Sequence, residues 1–133
     1  MNAQNLVMDL QCPHCAAMLT DGQRLPLHAH VRESKKEGEI VLSSVFGDHT
    51  VKTDLDIKER WILDLFCPKC DASLMLAVNC KECGGPLASL NIEGGGNLEF
   101  CSRKGCKAHA LGGFGDVDQM MSLVNRMMNT PYD

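Results

Sequence analysis

Residues 80–106 read CKECGGPLASLNIEGGGNLEFCSRKGC, and this stretch decides the fold. A C-x2-C pair opens it, a C-x4-C pair closes it, and three consecutive glycines separate two short apolar runs. Two residues between cysteines let one tight turn present both sulfurs to a single ion. Glycines flanked by apolar runs are typical of a β-hairpin. The stretch therefore predicts a hairpin whose open end carries metal ligands.

The pairing of cysteines recurs outward along the chain. The eight cysteines form four close pairs: Cys12/Cys15, Cys67/Cys70, Cys80/Cys83 and Cys101/Cys106. Because four thiolates complete a tetrahedral zinc site, eight ligands predict two separate sites and a cofactor content of two zinc ions. Disulfides are the competing use of so many cysteines. The first ten residues carry no positive cluster typical of a secretory signal, so we expect a cytoplasmic protein whose cysteines bind metal.

Composition indicates why such a chain would need metal. Its 133 residues suffice for one compact domain or two very small ones, but aromatic residues make up only 5%. Metal binding would supply the missing stability, because the binding free energy of a structural zinc site is also folding free energy. A net charge of −4 gives no overall basic footprint for nucleic acid. No apolar run is long enough to span a membrane, so we expect no membrane partner.

Alternating apolar residues predict a small antiparallel sheet between the first two cysteine pairs. The expected strands of this sheet lie in residues 25–31, 40–46, 51–57 and 61–66. Beyond it, Leu74, Leu76 and Val78 alternate up to Cys80, which predicts a further strand with one apolar face.

The C-terminal residues predict the one helix of the chain. It should begin at Asp116, with Gln119 giving an approximate capping box, and end before Pro131. Its apolar face consists of Val117, Met120, Met121, Val124, Met127 and Met128. Because methionines adapt to varied surfaces, the candidate partner-binding residues are Met120, Met121, Val124, Met127 and Met128. Packing of this face on the rest of the same chain is the equally weighted alternative.

Residues 80–109 resemble the four-cysteine zinc ribbon at the C-terminal end of bacterial type I topoisomerases. The likeness rests on the C-x2-C-G-G-P-L run, the 17-residue gap and the Phe that precedes C-x4-C, and it covers under a quarter of the chain. The resemblance implies a zinc ribbon whose ligands are Cys80, Cys83, Cys101 and Cys106. It does not imply topoisomerase activity, because ribbons are reused in many proteins.

The remaining ligands, Cys12, Cys15, Cys67 and Cys70, would then form the first site. Two other pairings stay open: Cys67/Cys70 with Cys80/Cys83 as a short central ribbon, and a cross-braced arrangement of alternate pairs. Iron competes with zinc in the first site, because four-thiolate ligation alone does not separate them. His109 could replace Cys106 as a ligand, although an exposed loop histidine is the simpler interpretation.

The predicted fold class is a small mainly-β zinc protein with two zinc ribbons, short antiparallel hairpins and a C-terminal amphipathic α-helix. We expect a first ribbon with the inserted sheet in residues 1–79, a second ribbon in 80–115, and the helix and tail in 116–133.

Closed four-cysteine sites leave no open position for a catalytic water, so we expect no enzyme activity. His28 and His30 share one strand face, where solvated histidines are the simpler interpretation. The favoured function is a structural-zinc, non-catalytic interaction module: an accessory protein or small subunit that docks on a larger enzyme or assembly. The alternative is a nucleic-acid-binding zinc-ribbon protein, which the net charge disfavours. A rubredoxin-like iron electron carrier is the weaker alternative.

Overall fold

Antiparallel β-strands form the fold of the described part of the chain. The structure is a computed structural model that describes residues 6–112, with side chains described for residues 6–109. Its strands are β1 (Leu10–Gln11), β2 (Arg24–Val31), β3 (Glu37–Ser43), β4 (Val51–Thr53), β5 (Leu63–Phe66), β6 (Met75–Asn79), β7 (Pro86–Ile92), β8 (Asn97–Cys101) and β9 (His109–Gly112). The predicted mainly-β class with antiparallel sheets is therefore confirmed. The predicted helix from Asp116 and its methionine face lie outside the described residues. Within those residues, no helix is long and apolar enough to cross a membrane.

The inserted sheet lies between the first two cysteine pairs, as predicted, with the strand order β4-β3-β2-β5. On β2 the side chains of Leu25, Leu27, Ala29 and Val31 are buried, and the residues between them face outward. This is the burial pattern that period-2 alternation predicts, because successive side chains of a strand point to opposite faces.

The predicted strand over residues 51–57 is shorter than its alternation indicates. Strand β4 ends at Thr53, whose hydroxyl accepts a hydrogen bond from the Leu55 N–H and donates one to the Glu39 carbonyl. A side chain that bonds the backbone two residues on turns the chain out of the ladder. Leu55 nevertheless packs inward, against the backbone of Gly38.

The second sheet is built around β7. One edge of β7 pairs with β8 through the predicted glycine hairpin, and β9 extends the sheet beyond β8. The other edge of β7 pairs with β6 and, further along, with β1, where Leu10 lies opposite Ile92. Strand β1 is thus hydrogen-bonded to the hairpin that lies between the last two cysteine pairs. The predicted division at residues 79 and 115 stays a prediction.

Strand β6 departs from its predicted alternation. Leu74 is buried, but Val78 is 54% exposed. The pairing of β6 with β7 shifts register between Met75 and Asn79. Because a register irregularity redirects the side chains that follow it, Val78 leaves the apolar face that begins at Leu74.

One apolar core joins the two sheets. It contains side chains from β1, β2, β3, β5, β7 and β8 together with Leu74. Two metal-ligand candidates, Cys12 and Cys67, belong to this core, with exposures of 1% and 0%. The first cysteine cluster is therefore built into the packing that holds the sheets together.

Candidate metal centres

The three C-x2-C turns fold alike. In each, the carbonyl of the first cysteine accepts a hydrogen bond of 2.9 Å from the N–H four residues later, which belongs to Ala16, Asp71 or Gly84. The N–H of that cysteine donates to the carbonyl five residues later. These closed turns aim both sulfurs of each pair in one direction. The sequence repeat of the three pairs is therefore a repeat of local structure.

The residue that ends each turn has a left-handed backbone. Its φ is 63° at Ala16, 63° at Asp71 and 79° at Gly84. Glycine adopts this conformation without steric cost and aspartate tolerates it, whereas alanine does not. Ala16 is therefore a strained position within the first knuckle, the C-x2-C turn that carries Cys12 and Cys15.

We expect Gly84→Ala to lower the free energy of unfolding by about 1 kcal/mol, since a left-handed Cβ is disfavoured. No heavy atom lies within 4 Å of a Cβ built there, so backbone strain is the only cost. Ala16→Gly should instead leave stability unchanged or raise it. Ala17→Gly is the matched control and should destabilise, because Ala17 has no left-handed backbone to relieve. Urea unfolding of the four metal-loaded proteins checks this ranking, and a stabilised Gly84→Ala protein would contradict it.

The first cluster brings together Cys12, Cys15, Cys67 and Cys70, with all four sulfurs within 4.8 Å of one another. The Cys12–Cys70 and Cys15–Cys67 sulfur pairs are both 3.8 Å apart. A regular tetrahedron with metal–sulfur bonds of 2.3 Å has sulfurs about 3.8 Å apart. The two measured sulfur–sulfur distances therefore fit a metal ion bound by four thiolates.

Backbone donors support the two buried sulfurs of this cluster. The N–H groups of His14 and Cys15 point at Cys12 Sγ from 3.3 and 3.4 Å. Those of Lys69 and Cys70 point at Cys67 Sγ from the same distances. Such donors favour the negatively charged thiolate over the thiol.

The acidity of the first cluster follows from these bonds. Burial raises the pKa of Cys12, but the N–H groups of Cys15 and His14 and the neighbouring thiols outweigh it and lower the pKa to about 7. The Ala72 N–H lowers the pKa of Cys70, but desolvation and the other thiols raise it to about 12. One thiol ionises readily beside another that keeps its proton. A divalent cation can take the place of the shared protons.

The second cluster consists of Cys80, Cys83, Cys101 and Cys106, again with sulfurs within 4.8 Å. The Cys80–Cys106 sulfurs are 3.8 Å apart and the Cys83–Cys101 sulfurs 3.4 Å. Burial raises the pKa of Cys83, but the Gly85 N–H, two thiols and Arg103 lower it to about 6. No disulfide joins any of the eight cysteines, all of which lie in the described part of the chain. The two clusters are the sequential arrangement of the pairs, and each could hold a metal ion.

Arg103 is a functional candidate that the sequence analysis did not assign to the metal site. Its Nε is buried and has no hydrogen-bond partner, although Nη1 donates to the Arg60 carbonyl at 3.1 Å. A Cβ built on Gly85 would lie 3.1 Å from this Nε and 3.4 Å from Cys83 Sγ, so the glycine lets the guanidinium approach the sulfur. Four thiolates carry more negative charge than a divalent ion cancels. With an ion bound, the nearby guanidinium would offset part of that excess.

We expect Arg103→Met to weaken metal binding at the second cluster by about 10–100-fold, as is typical when a residue that interacts with the ligands, but not with the metal, is lost. Lys81→Met removes a charge of the same sign from an exposed position in the same knuckle and should change affinity far less. Competition against a chelator, monitored by metal release, measures both. Equal metal affinities for the two variants would show that Arg103 does not contribute to metal binding.

His109 lies in a strand and not in the exposed loop that the simpler interpretation expected. It begins β9, its ring lies 4.7 Å from that of Phe46, and its Nδ1 is 2.8 Å from the Lys107 carbonyl. It is not a member of either cysteine cluster. The predicted partner-binding residues, Met120, Met121, Val124, Met127 and Met128, lie outside the described residues.

No protein-family model, no curated protein and no solved structure matches this chain. The geometry of both clusters is compatible with zinc ribbons. The likeness of residues 80–109 to topoisomerase ribbons therefore rests on the motif alone.

Proposed function

We propose that the chain is a structural-zinc interaction module without catalytic activity, an accessory protein or small subunit that docks on a larger assembly. The observation that carries the proposal is the ligand count. Each cluster offers four sulfurs within 4.8 Å of one another, and three of the four measured sulfur–sulfur distances are 3.8 Å, the spacing of a regular tetrahedron. A catalytic zinc site keeps one position for water or substrate, whereas structural sites are closed. Ions in these clusters would act on the fold, so the function would lie on the surfaces that the fold presents.

Zinc is the metal we assign to both clusters. Tetrahedral ligation by four sulfurs suits zinc and iron alike. Zinc has no redox chemistry, which suits a site whose role is to stabilise the fold. Metal analysis and the visible spectrum separate the two. A colourless protein with two zinc ions per chain would support the proposal. A red protein with iron in the first cluster would contradict it and favour an electron carrier.

A cleft beside the second cluster supports docking of a protein partner. Its volume is about 600 Å³, and it opens between the inserted sheet and residues 101–109. Apolar side chains such as Leu42, Phe46 and Phe100 line it, with Arg103, Lys104 and Lys107 also in the wall. Apolar anchors with a charged rim are typical of protein interfaces. Asp48 and Glu59 line the cleft too, and Lys104 Nζ lies 3.9 Å from Glu59 Oε1, so a matching partner segment would combine apolar residues with charges of both signs.

Co-purification with surface variants tests the docking proposal. Val51 lines the cleft and is 48% exposed, so Val51→Asp with Lys107→Glu should keep the fold and lose the partner. Val78→Asp is the control, since Val78 is 54% exposed and does not line the cleft. A partner that tolerates the first pair of changes does not use this surface.

Deleting residues 116–133 tests the predicted docking helix. A shortened chain that folds and keeps its metal but loses the partner would assign the methionine face to docking. A shortened chain that unfolds would assign that face to the core.

Nucleic-acid binding is the second candidate, favoured by the basic residues Arg103, Lys104 and Lys107 in the cleft wall. The net charge of −4 opposes it. Titration with single-stranded and duplex DNA decides the matter, because phosphate contacts give an affinity that falls steeply with salt. Absence of binding at low salt would dismiss this candidate.

A further inference from the structure

The outer face of the inserted sheet carries a cluster of metal-binding side chains apart from the cysteines. His28 and His30 lie two residues apart on β2, so both point outward. Opposite them on β3 the register places Glu39 beside His28 and Glu37 beside His30. Two imidazoles thus face two carboxylates across one pair of strands.

Three of these side chains already converge. The ligand atoms of His28, His30 and Glu37 lie within 4.8 Å of one another. His30 Nε2 is 3.2 Å from Glu37 Oε2. Two ligands on one tetrahedral ion with bonds of 2.0–2.1 Å are about 3.3 Å apart. The histidine–glutamate pair therefore has the spacing of two ligands on one ion.

Neighbouring side chains position the imidazoles and leave them available. The His28 and His30 rings are 5.1 Å apart and nearly perpendicular, and the Phe66 ring lies 4.5 Å from that of His30. Asp64, which lies opposite His30 on β5, is held by Arg32 through two hydrogen bonds. Asp64 is thus engaged with a cation of its own. The site opens to solvent, since the His30 and Glu37 side chains are 43% and 65% exposed.

We propose that His28, His30 and Glu37 form a third metal site, an exchangeable one for a divalent transition-metal ion such as Zn²⁺. Two nitrogens and one carboxylate oxygen suit such ions, and three protein ligands leave a position for water or for a donor from another molecule. This site has three ligands against four in each cysteine cluster, and none of the three is buried, so its ion would exchange with solution while theirs stay bound. This role is separate from the structural one proposed for the cysteines.

The test adds Zn²⁺ to protein whose cysteine clusters are already loaded with two zinc ions. We expect a third equivalent to bind in a calorimetric titration and to shift the imidazole NMR signals of His28 and His30. The signals of His14, His49 and His109 should stay in place. His28→Gln and His30→Gln should each weaken binding of this third equivalent by more than about tenfold. Loss of a group that only orients a ligand already costs that much, and here the ligand itself is lost.

Glu37→Gln separates a metal site from an ordinary histidine–carboxylate contact. In a metal site it weakens the third equivalent, because the amide is a poorer ligand than the carboxylate. His49→Gln is the control, since His49 is exposed, lies in none of the three clusters, and its ring packs against that of His109 instead. All variants change outward-facing residues and should keep two zinc ions. Absence of a third equivalent, or one whose affinity the His28, His30 and Glu37 variants leave unchanged, would overturn the proposal.

Discussion

Cys67→Ser is expected to abolish the cooperative unfolding transition of the whole chain, because it removes one ligand from the first cluster. Cys67 is fully buried and belongs to the apolar core, as does Cys12 on the facing knuckle. A serine there would bind zinc poorly and would place an unpartnered hydroxyl in the core. The variant should show weak, non-cooperative thermal unfolding by circular dichroism even with zinc in excess.

Connectivity explains why the effect should be global. The knuckle of Cys12 follows β1, which pairs with β7, whereas the knuckle of Cys67 follows β5 of the inserted sheet. An ion held by both knuckles therefore ties one sheet to the other. Structural zinc contributes about 10–16 kcal/mol in zinc-finger peptides, against total stabilities of roughly 5–15 kcal/mol for ordinary domains. Its loss exceeds what the remaining contacts can offset.

Cys80→Ser provides the contrast at the second cluster. Cys80 is buried but lies outside the core cluster of apolar residues. The hairpin that follows it keeps its pairing with β1. We therefore expect the inserted sheet and the β7–β8 hairpin to stay folded in this variant, with amide signals lost mainly over residues 80–85 and 101–106. Equal melting of metal-free and metal-loaded wild-type protein would contradict a structural role for both clusters.

Local patterns were sufficient to predict the knuckles, the glycine hairpin and the inserted sheet. The alternation of Leu25 to Val31 and the spacing of each C-x2-C pair are set by neighbouring residues, and the structure shows the same burial and turns. These features follow from backbone periodicity and tight-turn geometry, which act over a few residues.

Contacts between distant residues were not predictable in this way. The pairing of Leu10 with Ile92 joins strands about 80 residues apart, and nothing in either short strand specifies it. The exposure of Val78 depends on a register shift against β7. Arg103 Nε and Cys83 Sγ lie 3.1 and 3.4 Å from the point where a Gly85 Cβ would stand, a proximity that no short motif indicates. The alternation of His28 and His30 was visible, but their approach to Glu37 required the register of β3.

Leu27→Ala should lower the free energy of unfolding by about 2–5 kcal/mol, the usual cost of emptying a buried leucine site. Leu27 lies at the centre of β2 and faces Ile40 in register, and both side chains are 0% exposed. Surrounding strands hold the backbone in place, so the cavity cannot collapse fully.

Val78→Ala is the matched test of whether burial, rather than strand position, sets that cost. Both residues lie in strands and both sequences around them alternate, but Val78 is 54% exposed. Its truncation should therefore change stability by no more than about 0.5 kcal/mol. Urea unfolding at one fixed excess of zinc compares the two variants, because metal bound to the folded state shifts apparent stability. Comparable losses for Leu27→Ala and Val78→Ala would mean that Val78 is buried, as the alternation of β6 predicts. They would contradict the exposure that follows from the register shift between β6 and β7.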